Sequence, residues 1–302
     1  MKSRLLFFTI WMLFFGFYGR TQRSDRALQR QLDTLIKGFH GNVGLYIYDL
    51  KKDKYAAINA DTVFSTASIV KIPILIGIMD RIRKGELDYH QRLTYTDSLY
   101  YKYGDDILSD FKNGSTIELS KVMMLSLTIS DNCASLWLQG LAGGAARINE
   151  ILDSLGFRET RDNSRTPGRE AARERYGWGQ TTPREMAFLM RRIVRGEVFG
   201  KDAGDKMLRL LSRPYWDEVA ISQIPAGVFV ADKNGALDEN RNEILFVNAK
   251  HPYIVSVFTR NNADTSWNYQ TNEAWRLIRK VSAAVYGYYN PGSGPANIMW
   301  EK

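Results

Sequence analysis

Strand-forming runs sit near both ends of this chain, with a long helical stretch between them, and that arrangement constrains the fold more than any other feature. Residues 42–50 are rich in Val, Tyr and Ile, and residues 55–59 form a shorter run. The polar turn Lys51-Lys52-Asp53-Lys54 joins them as a hairpin. Three further β-branched or aromatic runs, 227–231, 243–248 and 253–260, are separated by turn residues. From about residue 66 to 212 the signals are mostly helical. There Thr182-Pro183-Arg184-Glu185 forms a capping box with proline at the first helical position. Met186, Leu189, Met190 and Ile193 come next on one apolar face. Helical patterns also cover 24–38, with Leu28, Leu32, Leu35 and Ile36 in register, and 268–286. Strands clustered at both ends imply one antiparallel sheet assembled from the two termini, with the helical block inserted between them. The expected fold class is therefore α/β (α+β) and two-lobed. An α/β lobe comprises 22–65 and 213–286, a helical lobe 66–212, and a tail 287–302 is extended or loosely ordered. A cleft is expected where the lobes meet.

The first residues differ from the rest. Lys2 and Arg4 precede 14 uncharged residues, 5–18, and Gly19-Arg20-Thr21 offers a small-x-small cleavage pattern. As a helix this run reaches about 21 Å, short of a hydrocarbon core of about 30 Å. Residues 1–21 are therefore expected to be a secretory signal, with an uncleaved anchor as the alternative. Either places the body outside the cytoplasm, secreted or periplasmic. The formal charge is +8, and Lys2, Arg4 and Arg20 account for three of it, leaving +5 for the mature chain. Those charges are mixed along the sequence without Lys/Arg blocks, which argues against a nucleic-acid partner.

Cys133 is the only cysteine, so no intrachain disulfide and no cysteine-based metal site is possible. His40, His90 and His251 are far apart and show no metal-ligand spacing. No metal and no cofactor are expected. A hydrolase built from this chain has no obvious histidine base, which directs attention to lysine.

The stretch FSTASIVKIPIL, residues 64–75, contains Ser68-Ile69-Val70-Lys71. Ser-x-x-Lys alone carries little weight, because about one chance match is expected in a chain of this size. Ser109-Asp110-Phe111-Lys112 is such a match. Ser130-Asp131-Asn132, with a chance expectation of about 0.04, comes after an apolar helical pattern at 122–127. Lys233-Asn234-Gly235 comes after the strand expected at 227–231. Three such elements in this order and context are far rarer than any one alone. Side chains at i and i+3 of a helix have Cβ atoms about 5–6 Å apart, so the Lys71 amine can reach the Ser68 hydroxyl. Lys71 must be neutral to act as a base, and burial near another cation such as Lys233 favours that form. Pro73 lacks an N–H and deprives the Ile69 carbonyl of its helical partner, so a helix here must begin at about Ser68.

The three elements resemble the Ser-x-x-Lys, Ser-Asp-Asn and Lys-Thr-Gly signatures of class A β-lactamases and the related penicillin-binding proteins. Thr181-Thr182-Pro183 with Met186-Ala187 is similar to a further segment of that family. The resemblance spans roughly residues 25–286. It implies a β-lactamase/transpeptidase-like fold in which Ser68 is the nucleophile, Lys71 its base, and Ser130 the relay to the leaving nitrogen. It further implies that Asn132 holds the substrate's side-chain amide and that Lys233 and Asn234 bind its carboxylate. Gly235 belongs to the same substrate-binding segment, and the N–H groups of Ser68 and Ala236 form the oxyanion hole. Taken alone, Asn132 reads equally as a helix cap and Gly235 as a β-bulge.

Two departures matter. Asn234 stands where the family usually carries Thr or Ser, although its amide can still donate to a carboxylate. The family's Glu-x-x-Leu-Asn motif, whose glutamate activates the deacylating water, is missing from 161–180, and its slot falls on Thr166. Glu170 and Glu174 are close by, but the spacing favours their pairing with Arg165, Arg169, Arg173 or Arg175. The expected function is an exported serine hydrolase opening the β-lactam amide of penicillins and cephalosporins through an acyl-Ser68 intermediate. The alternatives are a D-alanyl-D-alanine peptidase, amidase or esterase on the same scaffold, or a sensing module acylated once and released slowly. The partner is expected to be a small-molecule β-lactam or a peptidoglycan-like peptide, bound by a monomer without stable membrane insertion after signal cleavage.

Overall fold

The computed structural model describes residues 22–104, 106–212 and 214–292. The expected signal at 1–21 and most of the expected tail lie outside the described residues. One six-stranded sheet is built from both termini. Its strands are β1 (Arg23–Ser24), β2 (Asn42–Asp49), β3 (Lys54–Ile58), β9 (Phe229–Leu237), β10 (Asn240–Asn248) and β11 (Tyr253–Arg260). They lie in the order β1-β3-β2-β11-β10-β9. All pairings are antiparallel except β1 with β3.

The period-two pattern of β2 shows how this sheet is filled. Leu45 and Ile47 enter one core with Leu28, Leu32, Trp275, Ile278 and Val281. Tyr46 and Tyr48, on the opposite face, enter the other core with Met186, Leu189 and Met190. Helices α1 (Arg26–Leu35) and α9 (Glu273–Tyr289) thus cover the first face, and α7 (Pro183–Val194) covers the second. Each fully buried aliphatic side chain contributes about 1.5–3 kcal/mol. Asp25 caps α1 by accepting from the Leu28 N–H at 3.3 Å. Thr182 caps α7 by accepting from the Glu185 N–H at 3.1 Å. The box at α7 is half formed, because the Glu185 carboxylate accepts instead from the N–H groups of Arg158, Glu159 and Thr160.

The remaining helices form the second lobe around α2 (Lys71–Arg83), which is buried continuously from Lys71 to Asp80, as an element packed on all sides must be. Against it pack α3 (Leu119–Thr128), α4 (Asn132–Leu141) and α5 (Gly144–Ser154), and α8 (Lys201–Leu211) packs on α3 and α7. Short strands also occur in this stretch. β4 (Phe64–Ser65), β7 (Arg161–Asp162) and β8 (Gly179–Thr181) form a three-stranded sheet, and β5 (Arg92–Thr94) pairs with β6 (Thr116–Glu118).

Boundaries in the C-terminal part differ from the sequence expectation. β9 continues through Leu237, so Lys233-Asn234-Gly235 lies inside the strand rather than after it. Asp232 to Gly235 look like a turn locally, yet the ladder with β10 runs unbroken to Leu237 opposite Asn240. The last helix starts at Glu273, where Asn272 caps it, and reaches Tyr289. There the Tyr289 ring stacks on His251 at 4.9 Å and holds the final turn against the sheet.

At Gly44 on β2 a Cβ would lie 2.5 Å from the Phe64 ring and 2.7 Å from Pro183. Gly44→Ala should therefore destabilise the protein by about 1–3 kcal/mol through overpacking, read as a lower urea midpoint at an unchanged slope.

Candidate active site

Ser68 sits in a single 3-10 turn, Ala67–Val70, that runs directly into α2. The turn is pinned from several sides. The Thr66 N–H donates to the Gly179 carbonyl at 2.9 Å. The Ser65 hydroxyl donates to the Tyr176 carbonyl at 2.7 Å, and the Asn242 amide donates to the Ser65 carbonyl at 2.9 Å. Ala67 is forced to a φ of 45°, a left-handed conformation that persists only where surroundings over-determine it. Pro73 is the third residue of α2, in the first turn, where an N–H has no intrahelical partner. The α-helix thus begins at Lys71, about one turn after the start expected at Ser68, and the 3-10 turn Ala67–Val70 carries Ser68 instead.

Gly235 explains why β9 can lie against this turn. A Cβ there would stand 2.6 Å from the Thr66 carbonyl oxygen and 2.8 Å from the Ser68 nitrogen. The ladder is regular, with Gly235 opposite Asn242, so the glycine serves close backbone approach and not a β-bulge. β9 is also the last strand of its sheet, which leaves one row of its backbone groups to the cleft.

Lys71 is 1% exposed. Its Nζ lies 3.2 Å from Ser68 Oγ, 2.8 Å from Ser130 Oγ and 3.0 Å from Asn132 Oδ1, and it also meets the Ser130 carbonyl. Burial pushes its pKa well below the ordinary lysine range, and the Lys233 charge pushes in the same direction. The carboxylates of Asp106 and Asp131 oppose that shift. A neutral amine in this position can accept a proton from either hydroxyl.

Asn132 is the first residue of α4, not its cap. Asp131 is the cap, accepting from the Ala134 N–H at 2.7 Å and from the Leu108 N–H at 3.0 Å. This leaves the Asn132 side chain to face Lys71. Ser130, between α3 and α4, adopts a φ of 65°.

On β9, Lys233 is 2% exposed and donates to the Asn234 carbonyl at 2.8 Å and to Asn234 Oδ1 at 3.2 Å. Burial pushes its pKa down to about 8, while Asp232 and Glu243 act against the fall. Both of those carboxyls are buried and pushed up by burial, Asp232 to about 7. The Asn234 amide donates to the Trp216 carbonyl at 3.3 Å, and the Trp216 indole N–H donates to the Ile129 carbonyl at 3.2 Å. Trp216 thereby ties the Lys233 wall to the Ser130 wall. Ala236 is next on the same edge, opposite Arg241.

The structure does not bring Glu170 or Glu174 to Ser68. Both lie on α6 (Glu170–Tyr176), which has no buried residue, and Glu170 accepts from the Gly168 N–H at 3.1 Å. Glu170 lines an outer groove of about 250 Å³ with Asn163, Arg165, Thr166, Pro167 and Arg173. The expected pairing with neighbouring arginines is not what holds them, because among the described residues neither forms an ion pair. The loop is tied instead by Arg169, which donates to Asn163 Oδ1 at 2.6 Å and to Gln180 Oε1 at 2.9 Å. Thr166, in the slot of the missing glutamate, donates to the carbonyls of Asp162 and Ser164 at 3.2 and 3.1 Å.

Sequence reasoning missed Asp106, whose carboxylate accepts from the Asn132 N–H at 2.6 Å. It also missed Tyr101 and Trp178, whose rings meet edge to face at 5.5 Å. Neither feature carries a motif; the run YYKYG at 100–104 is the only local hint of an aromatic wall. Cys133 is buried, and burial pushes its thiol up to about 11, which keeps it unreactive.

A serine and a buried lysine facing a second serine across an interlobe cleft define a serine hydrolase that works without histidine. The profile of the Beta-lactamase enzyme family matches residues 27–289, and the chain belongs to that family. Among curated proteins it is similar to β-lactamase VEB-1 of Pseudomonas aeruginosa, 21% identical over 299 residues, which cover 95% of this chain and 98% of that protein. Among solved structures it is similar to a PBP-A mutant in its acyl-enzyme complex with penicillin G. The TM-score is 0.78 at 25% identity, over 89% of this chain and 98% of that one. A β-lactamase from Sphaerobacter thermophilus matches with a TM-score of 0.77 at 23% identity, over 88% of this chain and 98% of that one. Family and fold together make the protein a serine hydrolase of the class A β-lactamase type. Among the described residues, no helix is long and apolar enough to cross a membrane.

An anionic ligand docked on Lys233 should lose affinity as pH rises through about 8. The ammonium is present below that pH and lost above it, because its pKa is lowered to about 8. The check is kcat/KM against pH for a substrate bearing a carboxylate, compared with its methyl ester, whose profile should stay flat over that range.

Proposed function

We propose that the protein is an exported enzyme that opens the β-lactam amide by transferring its acyl group to Ser68. The observation that carries this reading is the position of the Lys71 amine, buried between two hydroxyls at 3.2 and 2.8 Å. Neutral Lys71 takes the Ser68 proton as Oγ attacks the carbonyl carbon. The carbon–nitrogen bond then breaks, and Ser130 delivers a proton to the leaving nitrogen while Lys71 replaces it. The N–H groups of Ser68 and Ala236 receive the developing oxyanion, each such donor contributing about 3–4 kcal/mol to the transition state. Lys233 and Asn234 receive the substrate carboxylate, and Asn132 its side-chain amide. The likeness to PBP-A, of which a mutant is solved as an acyl-enzyme with penicillin G, supports the same first step here. Export rests on the pattern of residues 1–21.

A second reading concerns the fate of the acyl-enzyme. No charged group from residues 161–180 is among those acting on Lys71, and the two nearby glutamates lie on a helix without a buried residue. This favours slow release of the acyl group, as in a D-alanyl-D-alanine peptidase or a sensing module that β-lactams acylate.

The test mixes purified protein with a chromogenic cephalosporin and monitors absorbance and intact mass together. Wild type should form a one-to-one adduct that outlasts the mixing time by minutes, and Ser68→Ala none. Lys71→Ala should slow adduct formation by about 10²–10⁴-fold. Glu170→Gln should leave adduct decay unchanged. Neither adduct nor turnover with wild type would overturn the assignment.

A further inference from the structure

The chain that leads to Asp106 packs against residues 161–180, where the Tyr101 ring meets Trp178 edge to face at 5.5 Å. Asp106 then turns inward and is only 7% exposed. One of its oxygens accepts from the Asn132 N–H at 2.6 Å. The other, Oδ2, is buried and has no hydrogen-bond partner among the described residues. Gly104 leaves room for that oxygen. A Cβ on residue 104 would stand 2.9 Å from Asp106 Oδ2 and 3.1 Å from Asn132 Nδ2. The carboxylate and the Asn132 amide therefore flank one small space, and Asn132 in turn places its Oδ1 3.0 Å from Lys71 Nζ.

The charges around Lys71 arrive from every wall of the cleft. Lys233 comes from β9, with Asp232 and Glu243 buried behind it. Asp131 comes from the start of α4, but its two oxygens are occupied by the N–H groups of Ala134 and Leu108. Ser68, Ser130 and Asn132 are neutral. Residues 161–180 contribute no charged group, and their buried Asp162 is bound to Gln139 at 2.7 Å and to the Ser164 N–H at 2.9 Å. Among the described residues, Asp106 is thus the carboxylate with an uncommitted oxygen next to the Lys71–Asn132 pair.

We propose that Asp106 is a positioning residue for acylation. Its carboxylate holds Asn132 against Lys71 and supplies the negative charge that residues 161–180 withhold from the site. A buried cation pair such as Lys71 and Lys233 repels itself, and a carboxylate on the Asn132 side offsets that repulsion. The same charge favours the ammonium form of Lys71, so it sets the pH at which the neutral base becomes available.

This inference rests on the acylation of Ser68 proposed above. The experiment measures the single-turnover rate of adduct formation against pH in the full-length protein, for wild type and Asp106→Asn. Asparagine keeps an acceptor for the Asn132 N–H and removes only the charge. The acid limb should move down by about one pH unit, so that below the limb the variant acylates up to about tenfold faster than wild type. A second variant, Gly104→Ala, keeps the charge but pushes the carboxylate away from Asn132, and should move the limb in the same direction by a smaller amount. Thermal unfolding of both variants within a few degrees of wild type shows that they fold. Superimposable profiles for wild type and Asp106→Asn, or a limb moved upward, overturn the inference while leaving Ser68 acylation intact. Absence of any wild-type adduct removes the acylation reading itself.

Discussion

The site depends on one cation kept out of water. Burying the Lys71 ammonium is unfavourable, and the fold meets that cost with four close oxygen atoms and two nearby carboxylates. Burial and Lys233 favour the free amine; Asp106 and Asp131 favour the ammonium. The balance leaves the amine as a usable base at the cleft floor, in a chain whose three histidines are engaged elsewhere. His40, His90 and His251 each contact a carboxylate, of Glu273, Glu118 and Asp49 respectively, far from Ser68 in the sequence.

That cation can be buried only because three backbone segments converge on the turn before α2. β9 approaches at Gly235, β8 approaches at Gly179, and the Asn242 amide reaches across from β10. A Cβ on Gly179 would stand 2.6 Å from Thr66 Oγ1, so this contact too is set by the absence of a side chain. The sheet assembled from the two termini supplies one wall, and α3 and α4 supply the other. Trp216 bridges them, and the Tyr101–Trp178 contact joins the chain before Asp106 to the 161–180 segment. The strained φ values at Ala67 and Ser130 fall on the two segments whose hydroxyls meet Lys71.

The segment 161–180 is the larger of two departures from the family pattern, the other being Asn234. Its buried polar residues serve each other: Arg169 binds Asn163 and Gln180, and Asp162 binds Gln139 and Ser164. A loop tied in this way is held in place without offering a carboxylate to Ser68. The Ser68–Lys71–Ser130 cluster and the 161–180 segment beside it are therefore built on different principles.

Much of this was legible in the sequence. The β-branched and aromatic runs at both ends pointed to a sheet built from the termini, because continuous apolar strands such as β2 require both faces of the sheet to be covered. Pro73 placed a helix start within the turn before it, because a proline is tolerated only in a first turn, and the structure sets that start at Lys71 after a 3-10 turn carrying Ser68. The missing Glu-x-x-Leu-Asn was equally plain. Tertiary structure alone decided the rest. Lys233-Asn234-Gly235 has the composition of a turn and is a strand because β10 pairs with it throughout. Asp131, not Asn132, caps α4, a choice between adjacent polar residues that spacing does not resolve. Glu170 and Glu174 stay away from Ser68 because α6 packs against β4 and β8 without burying any of its residues. Asp106 reaches Asn132 across 26 residues of irregular chain and helix. Such contacts arise from packing between elements, which periodicity within one element does not encode.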